Sequence, residues 1–286
     1  MINDFEFIQA QDLAGALNSL TGDGRIMPVA GGTNVLVNMK RAPLSADLVV
    51  DLTRLESLCA ITEDDDKIRL GAGVTFAQLL NWSPGGAVEG LMQPMCVGFA
   101  GPLIRNLATI GGNICDASPA ADASPVLLAL DASVKLESAA KGSRSLALTK
   151  FFQGVRKTAL AEDELLTHIE FPKPDADERC FYYKLGKRKA DAISLVSIAI
   201  KIKLAGTKVE SARIALGAVA PIALRSSTAE ELLQGETLNE SNIAKAAVAA
   251  VSDTQAIDDF RASGDYRRRM VEVLVKRGLT EILQAG

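Results

Sequence analysis

Leucines 13, 17 and 20 stand four and three residues apart, so residues 12–20 present one apolar helical face. Thr21-Gly22-Asp23-Gly24 closes that helix. Ahead of it, Phe5 and Phe7 alternate with acidic and polar neighbours, the pattern of a short strand. Residues 25–30 and 48–52 are apolar runs that read as strands, with a short helix between them. These elements predict a small α/β unit over about residues 1–55.

The texture then changes. Residues 59–62 and 67–70 read as a hairpin whose tip is the solvated acidic turn Glu63-Asp64-Asp65-Asp66. A helix is expected over 76–82, stopped by Ser83-Pro84-Gly85-Gly86, and another over 88–99, opposed by Pro94 in its middle. Met92 and Met95 read as core filler. Residues 121–130 are helical in pattern, and the helix dipole accounts for Asp122 near their start. Strands are expected at 133–137, 145–148 and 164–171, and Pro172-Lys173-Pro174 marks a boundary. The last third predicts three strands, 181–185, 194–204 and 209–219. The middle one ends in the clean alternation Ile200-Lys201-Ile202-Lys203-Leu204. Helices over 228–233, 241–251 and 266–283 complete an α+β chain. The expected division is residues 1–174, with subdomains 1–55 and 56–174, followed by residues 175–286.

Composition narrows the function. The chain has 286 residues, enough for a large core and two domains. A formal net charge of −4 argues against a nucleic-acid surface. The sequence holds no apolar run long enough to span a membrane. Its first residues, Met1 to Glu6, lack the basic and apolar regions of an export signal, so the cytoplasm is the expected compartment. Cys59, Cys96, Cys115 and Cys180 lack zinc or iron–sulfur spacing and are expected as reduced, half-buried apolar residues. His168 is the only histidine and lies in a strand pattern, where a structural role is expected.

Two glycine-rich stretches carry the candidate chemistry. One is Ala30-Gly31-Gly32-Thr33-Asn34-Val35, fed by an apolar strand and followed by a helical run. The other is Thr109-Ile110-Gly111-Gly112-Asn113. Glycine admits left-handed backbone and close ligand approach, and strand, glycines and helix start together present N–H groups to an anion. One such turn is weak. Two suggest a ligand with two phosphates, a dinucleotide. Gly71-Ala72-Gly73 lacks the third glycine of the Rossmann fingerprint.

The order Ala-Gly-Gly-Thr-Asn (30–34) and Arg-Asn-Leu-Ala-Thr-Ile-Gly-Gly-Asn (105–113) resembles the FAD-binding medium subunit of molybdenum hydroxylases. That family includes the flavin subunits of xanthine, carbon monoxide and nicotinate dehydrogenases. The resemblance extends to Phe151–Thr158, Phe181–Lys184, Gly217–Pro221 and Tyr266-Arg267-Arg268; the second glycine motif with its Ser118–Asp122 extension is the most specific mark. It implies a vanillyl-alcohol-oxidase or PCMH-type FAD fold. In that fold two α/β subdomains bind the cofactor, and a C-terminal domain carries a three-stranded antiparallel sheet with helices.

Carried over by position, the resemblance implies that Ala30 through Val35 wrap the diphosphate with backbone N–H groups, and that Thr109 through Asn113 do so from the other side. Phe99 and Ala100 match the segment beside the flavin ring, although Phe99 alone reads equally as core. Asp122, Leu166 and Lys184 match further cofactor-contacting positions. Without the family, Lys184 reads as a solvated strand lysine. The basic loop 186–192 corresponds to a variable segment near the flavin and reads first as solvated.

The implied function is electron transfer. Substrate is hydroxylated at a molybdopterin–molybdenum centre in a large partner subunit. Electrons pass through two 2Fe–2S clusters in a small iron–sulfur subunit to FAD in this chain and on to an external acceptor. The implied assembly is a dimer of heterotrimers. No catalytic side chain and no metal ligand is expected here, because the protein binds and tunes its cofactor. The alternatives are a stand-alone flavin oxidase or reductase of the same fold and a scaffold that has lost FAD.

Overall fold

The computed structural model describes residues 4–41, 46–189 and 191–285. Met1–Asn3 of the N-terminal reading and Ala190 of the basic loop lie outside them.

The first unit runs β1 (Glu6–Gln9), α1 (Leu13–Ser19), β2 (Ile26–Val29), α2 (Val35–Arg41) and β3 (Leu48–Asp51). Its sheet is parallel, in the order β1-β3-β2. Asp12 caps α1 by accepting from the Gly15 N–H at 2.7 Å. Ala16, Leu17 and Leu20 are buried against Val50, as the leucine spacing requires.

The second unit contains β4 (Ile61–Glu63), β5 (Lys67–Gly71), α3 (Phe76–Asn81), α4 (Gly86–Gly98), α5 (Pro102–Arg105), α6 (Ile110–Cys115) and α7 (Ala123–Ala129). It continues with β6 (Ser133–Ser138), β7 (Gly142–Ala147), α8 (Leu148–Phe151), β8 (Phe152–Gly154), β9 (Lys157–Thr158) and β10 (Glu164–Pro172). The five-stranded antiparallel sheet has the order β4-β5-β10-β6-β7. The acidic run does form the turn between β4 and β5. Helix α4 continues through Pro94. Burial of Leu91, Met92, Met95 and Cys96 outweighs a proline penalty of about 3 kcal/mol.

The third unit is β11 (Arg179–Leu185), β12 (Val196–Ala205), β13 (Lys208–Gly217), β14 (Leu224–Arg225), α9 (Ser227–Leu233), α10 (Glu240–Ser252) and α11 (Gly264–Gln284). Its antiparallel sheet has four strands where three were expected, because Leu224 and Arg225 pair with Leu216 and Ala215. Both faces of this sheet are buried. Ile198, Ile200 and Ile202 belong to a core with α9–α11. Ala199 and Ala215, on the other face, join the core of the second unit, where α7 packs. Small residues on that face let the helix come close: a β-carbon on Gly217 would stand 2.7 Å from Pro125. This packing fixes where the third unit meets the glycine motifs.

Candidate functional site

Strand β2 delivers the first glycine motif. Gly32 adopts a left-handed φ of 67°, which turns the chain into α2. The first helical bonds run from Leu36 N–H to Gly32 and from Asn38 N–H to Asn34. Among the described residues, the backbone N–H groups of Gly31 through Val35 have no intramolecular acceptor. A run of unpaired donors at a glycine turn is a cradle for an anion.

The second motif is built differently. Its glycines lie inside α6, not in a turn. Ile110 N–H donates to Val74 at 2.8 Å, Gly111 N–H to Ala72 at 2.9 Å and Asn113 N–H to Thr109 at 3.0 Å. Gly112 N–H donates to the Thr109 hydroxyl oxygen, which caps the helix at 3.1 Å. Four of the five backbone donors expected to face a diphosphate, those of residues 110–113, are therefore engaged internally. Gly111 serves close packing, since a β-carbon there would stand 2.6 Å from Ala72. What this stretch offers is side chains. Thr109 lines the cavity described next, and so does Asn113, whose Oδ1 is buried without a partner.

The motifs face each other across a cavity of two lobes. The larger, about 620 Å³, is lined by residues 30–35, Phe99, Ala100, Thr109, Gly112 and Asn113. The smaller, about 320 Å³, is lined mainly by apolar groups, among them Leu52, Leu58, Leu107 and Leu166, with Thr75 and Gln78 as polar members. Ala30, Gly31, Thr109 and Gly112 line both and form the waist. Two lobes that share Ala30, Gly31, Thr109 and Gly112, with free backbone donors from Gly31 to Val35 along the larger one, match a dinucleotide with its two ring systems and its diphosphate. The combined size is that of a cofactor site. Phe99 stacks on Phe76 with centroids 3.8 Å apart, so it is both core-packed and cavity-lining.

Three expected residues lie behind the lining rather than in it. Ile110 is fully buried. Asp122 and Lys184 form an ion pair at 2.6 Å, with side chains 8 % and 9 % exposed. Asp122 makes no helix-capping bond. It also accepts from the Ser194 hydroxyl at 2.7 Å. Its position is explained by this cross-unit pairing rather than by the helix dipole. Burial pushes the Asp122 carboxyl up, against the pull of Lys184 and Ser194. Lys184 is not a solvated strand lysine: it is buried and paired with Asp122. Its ammonium also donates to the Gly98 carbonyl at 2.9 Å, one residue before Phe99.

Cavity residues that the motifs did not reveal include Arg156 and Asp116, paired at 2.7 Å, together with Asp191 and Cys59. Arg156 is the only cationic side chain lining the larger lobe among the described residues. It has a left-handed φ of 55°, and no glycine or turn signature announces that conformation. The basic loop has local partners: Lys187 donates to the Phe260 carbonyl at 3.0 Å, and Arg188 pairs with Asp191. His168 is half-buried on β10, and burial, with Lys135 and Arg69 nearby, holds its imidazole below its usual pKa. Cys115 lines both lobes, and burial beside Asp116 pushes its thiol up to about 12, which makes it a poor nucleophile. The described cysteines are unpaired, and no described group of histidine, cysteine and acidic residues has a metal-binding arrangement.

Residues 3–174 match the family described as the FAD binding domain in molybdopterin dehydrogenase, and residues 181–282 match the CO dehydrogenase flavoprotein C-terminal domain. The chain belongs to this FAD-binding medium-subunit family. It is an oxidoreductase flavoprotein family whose members resemble this chain from end to end. The glyceraldehyde dehydrogenase medium chain of Sulfolobus acidocaldarius is 32% identical over 98% of both chains. The nicotinate dehydrogenase FAD-subunit of Eubacterium barkeri is 32% identical over 99% of this chain and 97% of its own. Carbon monoxide dehydrogenase from Hydrogenophaga pseudoflava superposes with a TM-score of 0.92 at 29% identity, covering 98% of this chain and 97% of that one. The medium subunit described here has no helix, among its described residues, long and apolar enough to cross a membrane.

Proposed function

We propose that this chain is the FAD-binding electron-transfer subunit of a molybdenum hydroxylase. Its partners in this reading are a large molybdopterin-binding subunit and a small subunit with two 2Fe–2S clusters, assembled as a dimer of heterotrimers. Bound FAD supplies redox chemistry that links those clusters to an external acceptor. The observation that carries the reading is the row of unpartnered N–H groups from Gly31 to Val35, which lines the larger lobe and reaches the smaller one at Gly31.

Each residue then has a distinct task. Ala30 through Val35 hold the diphosphate by backbone donors, and Arg156, paired with Asp116, lines the same lobe. Thr109, Gly112 and Asn113 close the waist from the opposite side, with Gly111 and Ile110 anchoring their helix. Phe99 and Ala100 form the wall of the flavin lobe. Leu166 lines the second lobe and excludes water there. Asp122 and Lys184 brace the Phe99 wall from behind. No proton transfer by a side chain of this chain is required, in line with the reluctant Cys115 thiol.

Purification of the native assembly tests the reading. Flavin, molybdenum and iron should travel with this polypeptide, and removing FAD should abolish electron delivery to an added acceptor while leaving the metals in place. A lone, catalytically active yellow chain would favour the stand-alone flavin oxidase instead.

A further inference from the structure

Five consecutive carbonyls at the end of α4 face two cations. Arg105 Nη1 donates to Phe99 at 2.9 Å and Ala100 at 2.8 Å, with longer contacts to Val97 at 3.4 Å and Cys96 at 3.5 Å. Lys184 takes the remaining one, Gly98, from the third unit. Ala100 has a left-handed φ of 39°, a conformation that costs a non-glycine residue and persists only where its surroundings impose it. Phe99 and Ala100 are the residues of this segment that line the larger lobe.

We propose that Arg105 is a positioning residue for the flavin ring, acting through the Phe99–Ala100 wall; the proposal rests on the FAD reading above. Arg105 itself does not line the cavity. Its side chain reaches back from α5 to carbonyls at the C-terminal end of α4 and just beyond it, where the helix no longer supplies N–H partners. A cation there also complements the negative end of the helix dipole. Lys184 is neutralised by Asp122, which leaves Arg105 as the cation that grips both wall carbonyls. The guanidinium fork reaches several acceptors from one planar group, which a lysine ammonium on a single flexible stem does not reproduce.

The test compares wild type, Arg105→Lys, Arg105→Met and Arg105→Met with Ala100→Gly in the purified complex. The readouts are the FAD dissociation constant, the visible circular dichroism of bound flavin and the thermal midpoint. Arg105→Met should weaken FAD binding by about tenfold, the scale of a lost charged hydrogen bond, and change the flavin dichroism. Arg105→Lys should do so to a smaller degree. Adding Ala100→Gly should restore part of the dichroism, because glycine takes the left-handed conformation without the clamp. Leu103→Ala, an exposed change on the same helix, should alter neither flavin readout. Wild-type FAD affinity and dichroism in folded Arg105→Met would overturn the assignment. If that variant does not fold, wild-type values in Arg105→Lys would overturn it. A wild-type chain that takes up no FAD would overturn the cofactor reading itself, a distinct result.

Discussion

Gly31 lies so close to Leu107 that a β-carbon on it would stand 1.7 Å from the Leu107 carbonyl oxygen. The two glycine-rich segments are thus pressed backbone to backbone, and that contact creates the waist of the cavity. Gly31→Ala has no flexible side chain to displace, only main chain. It should destabilise the protein by roughly 3 kcal/mol or more and strip it of flavin. Thermal unfolding together with the flavin-to-protein ratio checks this.

Gly111 and Gly112 are neighbours in α6 with different duties, so their substitutions should separate. A β-carbon at 111 meets Ala72 at 2.6 Å, and Gly111→Ala should cost about 1–3 kcal/mol with or without cofactor. A β-carbon at 112 meets only the Thr109 hydroxyl, at 2.9 Å, on the cavity side. Gly112→Val should fold and lose FAD. Equal flavin content in folded Gly112→Val and wild type would contradict this division.

Lys184→Met leaves the Asp122 carboxylate buried without its counter-charge. The expected loss is about 3–5 kcal/mol, the usual consequence of removing one partner of a buried pair. Adding Asp122→Leu should recover much of it, because no orphan charge remains. Denaturant unfolding of the four members of the cycle measures the coupling. Additive losses would show that the two side chains do not act as a pair.

Asp259 provides a pH signature. Burial opposes its ionisation, but the N–H groups of Arg261 and Ala262, the Arg261 guanidinium and the Arg267 charge carry its carboxyl down from 3.8 to about 2. A folded value below the unfolded one means that the stabilisation is complete above the unfolded value and disappears as pH falls through the folded one. The thermal midpoint of wild type should therefore exceed that of Asp259→Asn near neutrality, and the gap should narrow between about pH 4 and pH 2. A gap that stays constant across that window would assign the effect to something other than the carboxylate's charge.

Periodicity made most of the elements legible in advance. The leucine spacing of α1, the alternation of β12 and the acidic hairpin tip are local signals, and the structure keeps them. The glycine pairs of both motifs line the cavity. They did not reveal that Gly31 and Gly111 make room for main chain while the adjacent Gly32 makes a turn, because an identical letter serves both purposes. Lys184 was unreadable for a related reason: its partner Asp122 stands 62 positions away, and only the packing of α7 on the third unit joins them. Strand β14 is two residues long and has no period to detect. Arg105 carried no local sign that four carbonyls converge on it.

The core around α7 crosses the seam between the two matched sequence families. Tyr182, Ala199, Ala215 and Ala223 belong to the same buried cluster as Phe76, Ile110 and Leu136. A chain cut after residue 174 would expose that cluster and leave Asp122 without either of its side-chain donors. The two segments are therefore poor interchangeable cassettes. A chimera that pairs this cofactor half with a relative's C-terminal half has to inherit the lysine, the serine and the small-residue face together, and lineages that recombine at this seam are constrained to do so.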